Sequence, residues 1–137
     1  MGKPITTASS GTCVAFPNVC KTPVPTPAGP QDVPIPYPSI GQLSSAEKQS
    51  GDPTVFAGGD PVVTTDFEIA DTTGDAAGTS GGVKSGGQGG PVTFPSGSGS
   101  VNAQTYPVVR MFDQTEQNDG NCTGTCLGGI PTIRVGG

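Results

Sequence analysis

Residues 22–38 read TPVPTPAGPQDVPIPYP, and this stretch decides the fold. Each proline removes a backbone donor and fixes φ, so neither a helix nor a central strand can run through the segment. It must be extended. Val33, Ile35 and Tyr37 alternate with Pro34, Pro36 and Pro38, so one edge presents apolar side chains while the pyrrolidine rings stiffen the strip. The alternative is a solvated Pro-rich linker. Strict period-two placement of Val, Ile and Tyr argues against it.

Upstream, Cys13-Val14-Ala15-Phe16-Pro17 alternates apolar character and predicts a short strand. Downstream, Ser44–Ser50 (SSAEKQS) predicts the one short helix, with Ser44 as cap, Glu47 as capping-box partner and Gly51 as stop. Gly51-Asp52-Pro53-Thr54-Val55 returns as Gly59-Asp60-Pro61-Val62-Val63, the repeat of a tight β-meander. Phe67 and Ile69, alternating with Asp66 and Glu68, predict a half-buried strand. Val92-Thr93-Phe94, the run Tyr106 to Phe112, and Ile130, Ile133 and Val135 predict further short strands. Six of the eleven acids lie between Asp52 and Asp75 and read as a solvated face, because no EF-hand order of ligands is present. The run Gly74 to Gly90, GDAAGTSGGVKSGGQGG, lacks the Gly-Lys-Ser/Thr of a phosphate loop. It is either a flexible loop or a close packing of turns.

Composition agrees. Gly and Pro make 38 of the 137 residues, which excludes long helices, and Val outnumbers Leu 13 to 2, which favours strands. Leu, Ile, Val and Phe together are only 26 residues, so the core is thin. Yet only 12% of residues are charged, with a net charge of -5, too little self-repulsion to hold a chain open. The expected fold class is mostly β: short strands and Gly/Pro-rich turns with one short helix, residues 1–137 forming a single domain. Six scattered Lys and Arg build no basic patch, which argues against nucleic acid as partner. No apolar run has the length of a membrane span, and MGKPITTASS lacks the apolar segment of a secretory signal. No membrane anchor is expected, and the chain is expected in the cytoplasm unless another machine exports it.

With no histidine, Ser-His-Asp and Cys-His nucleophile sites and imidazole zinc sites are excluded. Asp113 with Glu116 is the remaining carboxylate pair, in a context that reads as an exposed turn, so no enzymatic activity is expected. The informative residues are four cysteines, Cys13 and Cys20 near the start and Cys122 and Cys126 near the end. Three readings are open for them. Short spacings suit a four-thiolate site for zinc, with iron compatible by ligand type, although they are looser than a CxxC knuckle. Disulfides suit an oxidising destination, and free buried thiols require no bond at all. The metal reading is carried forward, because a reducing cytosol favours thiolates. Either cross-link would supply stability that a thin core lacks.

The run Ala15-Phe16-Pro17-Asn18-Val19-Cys20-Lys21-Thr22-Pro23, continuing through Pro27-Ala28-Gly29-Pro30 to Val33-Pro34-Ile35-Pro36-Tyr37-Pro38-Ser39-Ile40, closely resembles the opening of PAAR-like spike-tip proteins of type VI secretion and related contractile injection systems. Residues 73–86 (TGDAAGTSGGVKSG) look like that family's Gly-rich middle, and Val108-Val109-Arg110 with Asp113 and Thr115 is similar to its closing strand and turn. The resemblance implies a small conical β structure that sits, one copy per trimer, on the blunt end of a VgrG-type spike. It implies a structural protein that sharpens the spike, is assembled in the cytoplasm and is exported with the apparatus, any effector cargo associating non-covalently. Such proteins commonly hold a metal near the apex with histidines, sometimes with a cysteine. The matching region here, Arg110 to Asn118, has no histidine, while Cys20 stands in the family's Val-Cys-Lys-Thr-Pro motif. Cys13, Cys122 and Cys126 look like additions that would make the site all-thiolate. The rival expectation is a secreted, disulfide-stabilised binding module or adhesin fragment.

Overall fold

Short β-branched runs cut by Gly and Pro cannot sustain helices, and they fold as brief strands held by pairing. The structure is a computed structural model that describes residues 2–9 and 11–136. Among those residues the strands are β1 (Lys3–Ile5), β2 (Thr12–Val24), β3 (Gln31–Gln42), β4 (Ala46–Lys48), β5 (Phe56–Ala57), β6 (Asp60–Pro61), β7 (Phe67–Ile69), β8 (Val92–Thr93), β9 (Asn102–Ala103), β10 (Tyr106–Pro107), β11 (Gln114–Gln117), β12 (Cys122–Cys126) and β13 (Ile130–Val135). Seven form an antiparallel sheet in the order β3-β2-β12-β11-β8-β7-β4, and the others pair as β1-β13, β5-β6 and β9-β10. The fold is mostly β, as the composition indicates. No helix of the described residues is long and apolar enough to cross a membrane.

The proline strip is β3, the outermost strand of the sheet. An edge is where proline is tolerated, because its missing N–H would have faced solvent. Pro34, Pro36 and Pro38 are exposed and Ile35 and Tyr37 are half-buried, so the period-two reading holds for those two, whereas Val33 is exposed like the prolines. β2 is much longer than the expected Cys13–Pro17 strand. It pairs with β3 from Thr12↔Gln42 to Val24↔Gln31, and Thr26 and Gly29 exchange backbone hydrogen bonds at the tip.

The register of this hairpin shifts between Ala15 and Asn18. A bulge inserts residues that oppose nothing and re-aims the side chains beyond it. Cys13 and Ala15 point inward before the shift, Phe16 and Pro17 stand exposed in it, and Asn18 and Cys20 point inward after it. Without the shift, Cys13 and Cys20, an odd number of residues apart, would face opposite sides of the strand.

Two apolar clusters lie under the sheets. The larger gathers Cys13, Leu43, Phe67, Ile69, Val92, Phe94 and Cys126 with smaller neighbours, and the other contains Ile5, Val62, Val108 and Val135. Most of these side chains are small, so the core is as thin as the sequence suggests.

The expected Ser44–Ser50 helix does not form. A single 3-10 turn, Leu43–Ser45, leads into β4, which pairs with β7 through Ala46↔Ile69, Glu47↔Glu68 and Lys48↔Phe67. No side chain caps the turn. A seven-residue helix is too short to repay its nucleation, and strand pairing with a buried Ala46 wins. Lys48 Nζ reaches Asp66 at 2.5 Å, which ties β4 to the residue just before β7. The echo at Gly51 and Gly59 does give a hairpin, β5–β6, turning through Gly58 and Gly59.

Leu43 is fully buried in the larger cluster. Leu43→Ala is expected to lower the unfolding free energy by about 3 kcal/mol, a large fraction of the roughly 5–15 kcal/mol of an ordinary domain. Urea denaturation followed by circular dichroism measures it, and a loss below about 1 kcal/mol would contradict this core assignment.

Candidate functional site

The four cysteines lie on two strands. Cys13 and Cys20 both belong to β2, and Cys122 and Cys126 both belong to β12. A strand advances about 3.3 Å per residue, which separates the first two by roughly 20 Å and the second two by roughly 13 Å. Short spacing in sequence therefore becomes distance in space, the opposite of a metal knuckle, whose loop folds back on its ion. Because β12 runs antiparallel to β2, Cys126 falls directly opposite Cys13, and Cys122 lies towards the Cys20 end. Among the described residues no three of Cys, Asp, Glu and His approach closely enough to hold a metal ion. The four-thiolate centre expected for zinc or iron is not assembled by this arrangement, nor does any histidine stand in its place.

Cys13 and Cys126 sit side by side in the apolar core, both fully buried. The Thr6 hydroxyl lies 3.4 Å from Cys126 Sγ and donates to the Gly128 carbonyl at 2.7 Å. The closeness of the two sulfurs draws the Cys126 thiol down and holds the Cys13 thiol up.

Cys20 faces a different environment, a buried cluster of amides around Asn18. The Asn18 carboxamide oxygen accepts hydrogen bonds from Asn121 Nδ2 at 2.6 Å, Asn118 Nδ2 at 3.0 Å and the Cys20 thiol at 3.6 Å. Its own Nδ2 donates to Asp75 Oδ2 at 2.8 Å. Asp75 also accepts from the Gly89 N–H at 3.0 Å, so its buried carboxylate is held by neutral N–H donors. Asn118 donates to the Gly87 carbonyl and accepts from the Gly90 N–H, both at 2.9 Å. Asn121 accepts from the Lys84 N–H at 2.8 Å and donates to the Val19 carbonyl at 3.0 Å. No buried side-chain nitrogen or oxygen among the described residues lacks a partner.

Local sequence explains how these groups converge. Asn118, Asp119 and Gly120 all take positive φ in the β11–β12 turn, where Asn, Asp and Gly are the residues that tolerate it. The glycine-rich run packs against this turn rather than hanging free. A Cβ on Gly78 would lie 2.5 Å from the Cys20 Cβ, and one on Gly82 would strike the Asn121 carboxamide. Only glycine lets the segment approach.

Burial, followed by the nearby Asp75 charge, raises the Cys20 thiol. Burial, then Cys20 and Asp75, push Cys122 up to about 11 against the pull of Lys84. Both are protonated at neutral pH, which suits donors inside a polar cluster. Outside Cys122 opens a pocket of about 440 Å³ lined by Phe16, Pro17, Val19, Val83, Lys84, Asn121, Cys122 and Thr123. Phe16 is 65% and Val83 54% exposed there, a high value for large apolar side chains.

Asp113 and Glu116 do not form a carboxylate pair. Asp113 is buried and gripped by Arg110 through Nε and Nη2 at 3.0 Å each, with Lys3 at 3.3 Å, while Glu116 points outward. Asp75, counted with the solvated acids, is instead 2% exposed at the centre of the cluster. Sequence reasoning passed over Asn18, Asn118 and Asn121. The one available signal was that Asn18 and Asp75 fall within the blocks of family resemblance.

A family model described as Toxin PAAR-like domain (Tox-PAAR-like) matches residues 11–124 of the 137. Comparison with curated proteins and with solved structures gives no match.

Asn18→Ala removes the acceptor shared by three donors and one partner of Asp75 together. It is expected to cost about 3 kcal/mol in urea denaturation, the upper end for buried polar groups left unpaired. A cost under about 1 kcal/mol would show that the cluster does not hold the fold. The raised Cys122 thiol gives a pH test. The folded state keeps its proton up to about 11, whereas the unfolded thiol loses it near 9. The contribution is present below about 9 and is lost as pH rises through 11. The stability of wild type relative to Cys122→Ser should therefore fall across that window, read from thermal melts at stepped pH, and a difference independent of pH would contradict it.

Proposed function

This chain belongs to the Toxin PAAR-like domain family, and from that membership we propose that it is a non-enzymatic spike-tip protein of a contractile injection system, of the type VI secretion or extracellular particle kind. One copy caps a trimeric VgrG-type spike, sharpens it for envelope penetration and leaves the cell with it after assembly in the cytoplasm. Effector cargo, where present, rides by non-covalent association. The family match over residues 11–124 carries the reading.

The physics of the fold supports it. A penetrating tip needs rigidity in a small volume more than it needs a cleft with reactive groups. Stiffness here comes from the proline-bearing edge strand β3, from the amide cluster around Asn18, and from the bidentate Arg110–Asp113 pair. β1 pairs with β13 through Lys3↔Val135, so the first and last strands brace each other. The groups best placed for chemistry are spent on structure: Asp113 is locked by Arg110, and Asp75 by backbone and amide N–H groups. Exposed Phe16, Phe56, Val83 and Phe112 leave apolar surface for a partner to cover.

The purified chain mixed with its cognate trimeric VgrG-type spike should form a complex of one chain per trimer, measured by size-exclusion chromatography with light scattering. Two separately eluting species would overturn the reading and favour a secreted binding module.

A further inference from the structure

We propose that Cys13 and Cys126 are a cross-strand redox pair, converted by hydrogen peroxide to a disulfide that staples β2 to β12, while Cys20 and Cys122 stay as thiols. Nothing in the spike-tip reading requires this pair. Only the timing of its oxidation, after the chain leaves a reducing cytoplasm, rests on that reading.

Backbone geometry selects the pair. Cys13 and Cys126 are directly opposed in the antiparallel β2–β12 ladder. The Cys126 N–H donates to the Asp113 carbonyl at 2.9 Å, and its carbonyl accepts from the Phe112 N–H at 2.7 Å. Both groups therefore point away from β2. The next residue, Leu127, sends its N–H to the Thr12 carbonyl at 2.8 Å. Cys13 and Cys126 thus occupy a non-hydrogen-bonded pair, where Cα atoms stand about 4.5 Å apart and side chains on the same face come closest. Bridged cysteines take Cα separations from about 4.4 to 6.8 Å, so the strands need little movement. The other two have no such relation. Cys20 is paired with Ile35 of β3, Cys122 with Gln117 of β11, and the β2–β12 ladder ends at Gly124 before reaching Cys122.

The surroundings suit the chemistry. Cys126, drawn down by its neighbour, is the readier of the two thiols to ionise and attack. Both sulfurs are buried, which favours an oxidant that is small and uncharged. Cys126 Sγ attacks one peroxide oxygen, the O–O bond breaks, and the departing hydroxide takes a proton to become water, leaving a sulfenic acid. Cys13 Sγ then attacks Cys126 Sγ. The S–S bond forms, the S–O bond breaks, and the second hydroxide leaves as water with the Cys13 proton. Two thiols are oxidised and one peroxide is reduced to two waters.

The full-length protein is treated with hydrogen peroxide under native conditions, and intact mass, titratable thiols and melting temperature are recorded. Tryptic cleavage leaves Cys13 with Cys20 on one peptide and Cys122 with Cys126 on another, so variants are needed to assign the bond. Wild type should lose two hydrogens, fall from four titratable thiols to two, and melt about 10 °C higher, because the bridge closes nearly the whole chain. Dithiothreitol should reverse all three changes. C20S/C122S, which keeps the proposed pair, should behave like wild type, and C13A/C126A should not lose the two hydrogens. The proposal falls if C20S/C122S stays reduced, if oxidation occurs only after urea unfolds the chain, or if Cys126 gains oxygen without forming the bond. Because none of these readouts involves the spike, they are independent of whether the spike complex forms.

Discussion

One carboxamide gathers three separated parts of the chain. Asn18 on β2 receives the amides of Asn118 and Asn121 from the β11–β12 turn, and its own amide holds Asp75 at the head of the glycine-rich run. Those partners lie 57 to 103 residues away in sequence. A buried polar group must be bonded or it costs about 1–3 kcal/mol, so each member of the cluster is stable only while the others stay in place. That mutual dependence is what makes the arrangement stiff.

The magnitudes explain why such a cluster is needed. Residues 74–90 include eight glycines, each costing roughly 0.5–1 kcal/mol more than alanine to order in regular structure. Only Val83 in that run is large and apolar, and it is exposed, so burial of its own side chains cannot offset the cost. What orders the run is contact with polar groups: Lys84 and Ser85 amides on Asn121, the Gly89 amide on Asp75, and the Gly90 amide on Asn118. The glycines are also required by the cluster, since a side chain at Gly78 or Gly82 would displace Cys20 or Asn121. Entropy lost by the glycines and hydrogen bonds made to them are two sides of one packing solution.

Several strand-forming segments were legible because their cause is local, whereas β11 and β12, in the middle of the sheet, carry few apolar residues and were read as an exposed turn or not as strands at all. Proline's missing donor and fixed φ mark residues 22–38 as extended and unfit for a central strand whatever lies beside them, and alternation at Phe67 and Ile69 reports one wet face. The Ser44–Ser50 segment misled because caps and propensity count only within the segment, whereas Ala46 gained a partner in Ile69 from outside it. The cysteines misled for a geometric reason. Ligand spacing presupposes a loop between the donors, and β2 runs unbroken from Thr12 to Val24, carrying Cys13 and Cys20 apart. The amide cluster was least legible. Asparagine has no spacing rule comparable to a metal knuckle, and Asn18 meets Asn121 only after the whole sheet is built.

A metal centre and an amide hub solve the same problem, the joining of distant segments where little apolar surface is available. They differ in what breaks them. A thiolate centre loses its ion to acid, chelators or oxidation, because its ligands must be deprotonated and reduced. The hub around Asn18 is made of carboxamides and backbone groups together with Asp75 and the Cys20 thiol, all shielded from solvent. Its strength is therefore set by exclusion of water rather than by the redox poise or metal content of the surroundings. Under the proposed spike-tip role, which carries the chain out of the cell, that independence matters as much as the strength of the bonds.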